Sequence, residues 1–209
     1  MKLAWMPWVT SVSLAVSAHA AVVISEINYM PPTDGQDTEF VEAANAGAAA
    51  VDIGGWSWDG IGFTFPAGAS LAPGEVWVVA TELTDTTDSN VESFEHFYGN
   101  GSGTVDPGEF AYPVDDASGG LSDGGETITL FDDTGATVDS FDYTGMLGSS
   151  NPDGFTVERQ STAAGDFVVG TVSGGTPGST ALALVAVPEP LSLLLVAAPL
   201  LAFGRWRRP

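Results

Sequence analysis

The chain has 209 residues, with 27 acidic and 5 basic side chains, 2 histidines and no cysteine, and that length holds one β-rich domain, not a multidomain enzyme. Every carboxylate except Glu189 lies between positions 21 and 187, where Arg159 is the sole basic residue, because Lys2, Arg205, Arg207 and Arg208 sit at the extreme ends. Schiff-base and phosphate-loop lysines, thiol nucleophiles, disulfides and thiolate metal sites are thereby excluded from the interior, and without clustered Lys and Arg nucleic acid is a poor partner.

In chain order, residues 1–20 predict a secretory leader helix. Lys2 supplies the positive n-region, Trp8 to Val16 is mostly apolar, and Ala18-His19-Ala20 offers the small-x-small cleavage pattern. A buried first strand or an anchor helix fits less well, because the apolar run is too short to span a membrane. The expected partners here are the export machinery and signal peptidase, which recognises Ala18 and Ala20 and cuts after the latter.

Residues 21–180 predict an all-β domain. Apolar-alternating runs occur at Val22 to Ile27, Thr38 to Glu42, Val51 to Trp58, Phe63 to Phe65, Glu75 to Ala80, Thr127 to Phe131, Thr137 to Tyr143 and Phe155 to Glu158. Turn signals such as Asp59-Gly60, Pro73-Gly74 and Asp133-Thr134-Gly135 punctuate them at hairpin spacing, which predicts an antiparallel sandwich with no strand–helix–strand alternation and no internal repeat. Alternation places Phe40 on one face of its strand and Glu39 with Val41 on the other. It places Trp56 and Trp58 on the same side, as core rather than as sugar-stacking platforms; Trp77 reads likewise.

One helix interrupts the strands. Ser89-x-x-Glu92 is a capping-box pattern, Val91, Phe94 and Phe97 or Tyr98 share a helical face, and Gly99 stops it. His96, the only histidine outside the leader, reads as a surface residue near the helix end, so two histidines cannot form a metal site. The stretch from Asn100 to Gly125 reads as a long acidic loop.

After a linker over 181–187, residues 188–209 form a second apolar tip. Pro188-Glu189-Pro190 precedes Leu191 to Phe203, an uncharged run that as a helix rises only about 20 Å, against the roughly 30 Å of a hydrocarbon core. Counting Pro190 to Trp206, with arginine stems reaching the interface, predicts a transmembrane helix. The arginines stay cytoplasmic, which puts the N-terminal domain outside.

The acids cluster at Asp34, Asp37 and Glu39, at Asp106 and Glu109, at Asp115, Asp116 and Asp123, and at Asp132 with Asp133. Calcium takes oxygen ligands from such groups, which makes Asp106, Glu109, Asp115, Asp116 and Asp123 its candidate ligands. None has the spacing of an EF-hand or a glycine-rich nonapeptide repeat, and a solvated acidic coat that keeps the protein soluble explains the same residues more simply. Asp132-Asp133-Thr134-Gly135 reads as a hairpin turn. No cofactor other than calcium is suggested.

Two resemblances complete the reading. Pro188-Glu189-Pro190, the short apolar run and Arg205, Arg207 and Arg208 together resemble the PEP-CTERM sorting signal of Gram-negative bacteria. That resemblance implies cleavage by an exosortase-type membrane protease and release to, or attachment at, the cell surface, often in species making extracellular polysaccharide. The sandwich resembles bacterial lamin-tail domains. Ile24-Ser25-Glu26-Ile27-Asn28-Tyr29 is similar to their opening strand, Glu39-Phe40-Val41-Glu42 with Asn45 to the second, and Asp52-x-x-Gly55-Trp56 to their aromatic signature. Phe63-Thr64-Phe65-Pro66 with Leu71-Ala72-Pro73-Gly74, Phe97-Tyr98-Gly99, Leu121 to Leu130 and Thr176-Pro177-Gly178 follow in the family's order. The resemblance implies an immunoglobulin-like β-sandwich and no activity.

The expected function is therefore a non-catalytic, exported cell-surface or matrix module with a structural or adhesive role. The alternatives are a calcium-dependent adhesin or polysaccharide binder and, on the abundance of acids alone, a hydrolase using a carboxylate pair.

Overall fold

The computed structural model describes residues 22–32, 38–85, 93–148, 154–180 and 182. Both expected sorting tips fall outside the described residues, as do Asp34, Asp37, Ser89 and Glu92.

The largest sheet is built around β1 (Val22–Asn28), β2 (Phe40–Asn45) and β7 (Val76–Ala80), whose β-branched and aromatic residues suit a buried pleated surface. Its outer members are β8 (Val114–Asp116), beyond β7, and β11 (Val157–Arg159) with β12 (Phe167–Val169), beyond β1, giving the order β12-β11-β1-β2-β7-β8. A second sheet runs β10-β9-β4-β5, from β4 (Ser57–Asp59), β5 (Phe63–Thr64), β9 (Thr127–Phe131) and β10 (Thr137–Asp142). A small ladder joins β3 (Val51–Asp52) to β6 (Ser70–Leu71).

Between the sheets lies the main core. Ile24, Ile27, Val41, Ala43, Val79 and Val157 from the large sheet meet Trp58, Ile128 and Leu130 from the second, with Ile53, Trp56, Phe65 and Tyr143 filling the ends. Tryptophans 56 and 58 are thus buried. Unlike most sandwich sheets, the large one is also covered on its back: Val23, Phe40, Ala44, Val76, Val78 and Ala80 form a second cluster with Phe94 and Leu182. Every residue of β2 is consequently buried, which takes two alternating apolar sets on one strand.

Four local expectations are corrected. Val51 to Trp58 is not one strand: Gly55, at φ 81°, turns the chain so that β3 and β4 enter different sheets while Ile53 and Trp56 both point inward. The loop expected over Asn100 to Gly125 contains β8, whose pairing with β7 is parallel. The chain reaches β8 through a crossover carrying the short helix α1 (Phe94–Tyr98), so a strand–helix–strand unit is present after all. β6 and β12 also lacked a sequence signal, since strands of two and three residues exist only by pairing with neighbours.

Helix α1 begins later than the capping-box pattern suggested. Ser93 is its N-cap, accepting a hydrogen bond from the His96 amide at 3.4 Å, and Gly99 ends it by donating to the Glu95 carbonyl. His96 is exposed, as the spacing suggested. Phe94 packs edge-on to Phe40 at 5.8 Å between centroids and lies against Tyr98 at 4.6 Å.

Candidate functional site

The back of the large sheet carries two buried carboxylates. β1 has a bulge between Ile24 and Ile27, which both keep their side chains in the main core opposite Ala43 and Val41. The extra residue turns Ser25 and Glu26 to the back, where Glu42 of β2 also emerges between Val41 and Ala43. Ser25 Oγ donates to Glu42 Oε1 at 3.1 Å.

Residues 174–180 lie over this pair. The Thr176 amide donates to Glu26 Oε1 at 3.0 Å, Thr176 Oγ1 donates to Glu26 Oε2 at 3.1 Å, and the Gly178 amide donates to Glu42 Oε2. Thr156 Oγ1 adds a 2.6 Å hydrogen bond to Glu26 from the sheet side. Tyr98 of α1 donates its hydroxyl to the Gly174 carbonyl, and Leu182 is buried in the back cluster. Gly178 has φ 79° and lies flat on the Tyr112 ring, where a Cβ has no room. Beside the pair, Ser25, Glu26, Glu158, Thr171 and Thr176 line a cleft of about 230 Å3.

Burial dominates the electrostatics. It pushes Glu26 up to about 7, with hydrogen bonds from Thr156 and Thr176 opposing and the Glu158 charge adding. Glu42, fully buried, is pushed well above the usual carboxylate range by burial first and the Glu26 charge second. The same burial raises the Tyr98 and Tyr112 phenols, helped by the two glutamates. Both carboxyls are thus proton-bearing hydrogen-bonding groups at mildly acid pH. With relative exposures of 1% and 0%, Glu26 and Glu42 spend their oxygens on the domain's own donors, unlike the open carboxylate pair of a glycosidase.

Four of the five calcium candidates take part in hydrogen bonds to the domain's own N–H groups. Glu109 accepts from the amides of Asp106 and Asn100, which hold its carboxyl below the usual range, and Asp106 accepts from Asn100 Nδ2 at 3.0 Å. Asp115 accepts from Trp77 Nε1 at 3.1 Å, and burial raises it; Asp116 accepts from the Leu83 amide at 2.9 Å. Asp123 is exposed. Among the described residues, no group of three or more His, Asp or Glu side chains converges to hold a metal ion.

The same use of carboxylates recurs elsewhere. Glu39 takes the Leu121 amide, Glu95 those of Ser102 and Gly103, Glu126 that of Ser122, and Asp132 those of Thr134 and Ala136 in the expected hairpin turn. With Arg159 as the only interior base, peptide N–H groups do the pairing that lysines and arginines do in other proteins.

Sequence reasoning passed over Glu26 and Glu42 as sites, although two signals were present. Val22-x-Ile24-x-x-Ile27 is out of phase with a plain strand, which marks a bulge. Phe40-Val41-Glu42-Ala43-Ala44 is apolar on both faces, which marks any acid within it as buried.

A family model described as the lamin tail domain matches residues 15–145. The chain belongs to that family. No curated protein matches it. Lamin-tail domains are immunoglobulin-like and generally non-catalytic, and the all-β sandwich described above agrees with that class. The matched stretch ends at 145, short of β11 and β12, yet those strands complete this lamin-tail sheet, with Ile27 opposite Val157 and Glu26 opposite Glu158. Among the described residues of the domain, no helix is long and apolar enough to cross a membrane.

Proposed function

We propose that this lamin-tail protein is a non-catalytic structural or adhesive module of the cell surface or extracellular matrix. It is exported through its leader and held at the inner membrane, transiently or lastingly, by residues 188–209. The observation that carries the reading is how the carboxylates are used: the buried and half-buried acids spend their oxygens on the domain's own amides and hydroxyls, leaving a folded body rather than a reaction centre. Membership of a generally non-catalytic family supports it. The Pro188-Glu189-Pro190, apolar and arginine-rich sequence supports the sorting route, with signal peptidase and an exosortase-type protease as processing partners. Surface proteins or extracellular polysaccharide are the partners such a module meets there.

Fractionation of the native host combined with intact-mass measurement tests this. The expected product lacks residues 1–20 and is cut near Pro188, and replacing Pro188, Glu189 and Pro190 with alanine leaves the protein in the inner membrane. A full-length chain confined to the cytosol overturns the reading.

A further inference from the structure

The segment 174–180, with Leu182, is attached to the sandwich in an unusual way. Its backbone is held by two acids from adjacent strands, Glu26 to Thr176 and Glu42 to Gly178, by the Tyr98 hydroxyl at Gly174, and by the burial of Leu182. No residue from Thr171 to Thr180 carries a charge. The other titratable groups facing the pair are Glu158 from β11, Tyr98 from α1 and Tyr112 from the crossover. All of them are neutral or negative. Arg159 borders the same cleft, but its guanidinium is engaged by Asp139 and the carbonyls of Ile24 and Ala163. Among the described residues, therefore, no free cation compensates the two carboxylates once they ionise.

We infer that residues 174–180, with Leu182, form a pH-gated strap, docked on the back of the sheet while Glu26 and Glu42 carry their protons and lifting when both ionise. Docking encloses the pair away from water, which favours the protonated carboxyls and outweighs the Thr176 and Gly178 donors that favour the ionised ones; ionisation sets two like charges on one sheet face, and lifting the strap lets water hydrate them. Burial already holds Glu26 near 7 and Glu42 well above the usual carboxylate range, so the transition falls at neutral to mildly alkaline pH. Lifting frees Leu182 from the back cluster and adds about 30 Å of extended chain between sandwich and tail. The inference concerns the domain alone and holds whether or not the protein is exported.

Hydrogen exchange on the purified full chain in mild detergent tests it, read at the amides of Thr176 and Gly178 and corrected for the intrinsic pH dependence of exchange. The β2 amides serve as the reference for global stability. Between about pH 6 and about pH 9, protection at the two strap amides is expected to fall by about tenfold or more while β2 stays protected. In the Glu26→Gln/Glu42→Gln variant, the strap is expected to stay protected throughout. Flat strap protection in the wild type overturns the inference, as does an equal fall in the Gln variant with β2 intact. If the double variant does not fold, Glu26→Gln alone is expected to weaken the pH dependence, and an unchanged dependence there also overturns it.

Discussion

Arg159 shows what one residue does when it is the only base in an acidic domain. Its Nε donates to the Ile24 carbonyl at 2.6 Å, Nη1 to the Ala163 carbonyl at 2.8 Å and Nη2 to Asp139, while its guanidinium lies 4.5 Å from the centroid of the Phe167 ring. Asp139 also accepts the Ile24 amide at 2.9 Å, so β10 of one sheet is tied to β1 and β11 of the other. With the arginine 1% exposed, removing it strands the half-buried Asp139 carboxylate and the Ile24 carbonyl. Arg159→Leu is expected to cost about 3–5 kcal/mol in urea-induced unfolding. Arg159→Lys is expected to recover less than half of that, because an ammonium cannot make the same fork of contacts and does not stack on Phe167 as a planar guanidinium does.

At the scale of elements, α1 is too short to persist alone, since helices under about 12 residues are marginal in water. It is held by its aromatic seam. Phe94, fully buried, contacts Phe40, Tyr98 and Phe110, so Phe94→Ala is expected to cost about 3–5 kcal/mol by unfolding. Ser93→Ala removes only the cap and is expected to cost about 1 kcal/mol. Phe97, at 43% exposure, sits on the solvent side, and Phe97→Ser is expected to stay within about 0.5 kcal/mol of wild type. Three neighbouring aromatic positions thus separate into core and surface, which the helical pattern alone left open between Phe97 and Tyr98.

For the whole molecule, charge governs the response to solution conditions. Glu26 and Glu42 have folded values raised above the ordinary carboxylate value, so their contribution to stability is fully present at acid pH and is lost as pH rises through 7 and above. The lowered carboxyls, Glu109 and Asp142, act oppositely and lose their contribution only as pH falls into the carboxylate range. The melting temperature is therefore expected to peak between about pH 5 and about pH 6.5 and to fall toward pH 9, with a flatter alkaline limb in the Glu26→Gln/Glu42→Gln variant. A net charge of −22 adds self-repulsion at neutral pH, so raising sodium chloride from about 10 mM to about 150 mM is expected to raise the melting temperature. Calcium and magnesium chloride at equal ionic strength are expected to raise it equally, since no three acids converge among the described residues; a calcium-specific rise would point to a bound ion.

Composition and alternation alone determined a good deal: the all-β class, the strand positions from Val22 to Ile27 and from Thr127 to Phe131, the inward tryptophans, the Asp132 turn and the loss of lysine and thiol chemistry. These properties are local, because period-two alternation and turn chemistry act between residues a few positions apart. The parallel pairing of β8, the splitting of Val51 to Trp58 between two ladders, the role of Arg159 and the enclosure of Glu26 and Glu42 were decided by the tertiary structure. Each depends on at least one partner distant in sequence, and a carboxylate reads the same in a sequence whether it meets water, a calcium ion or the amide of Thr176. Only the chain's return across the sheet at residues 174–180, which removes water from both glutamates, distinguishes these cases.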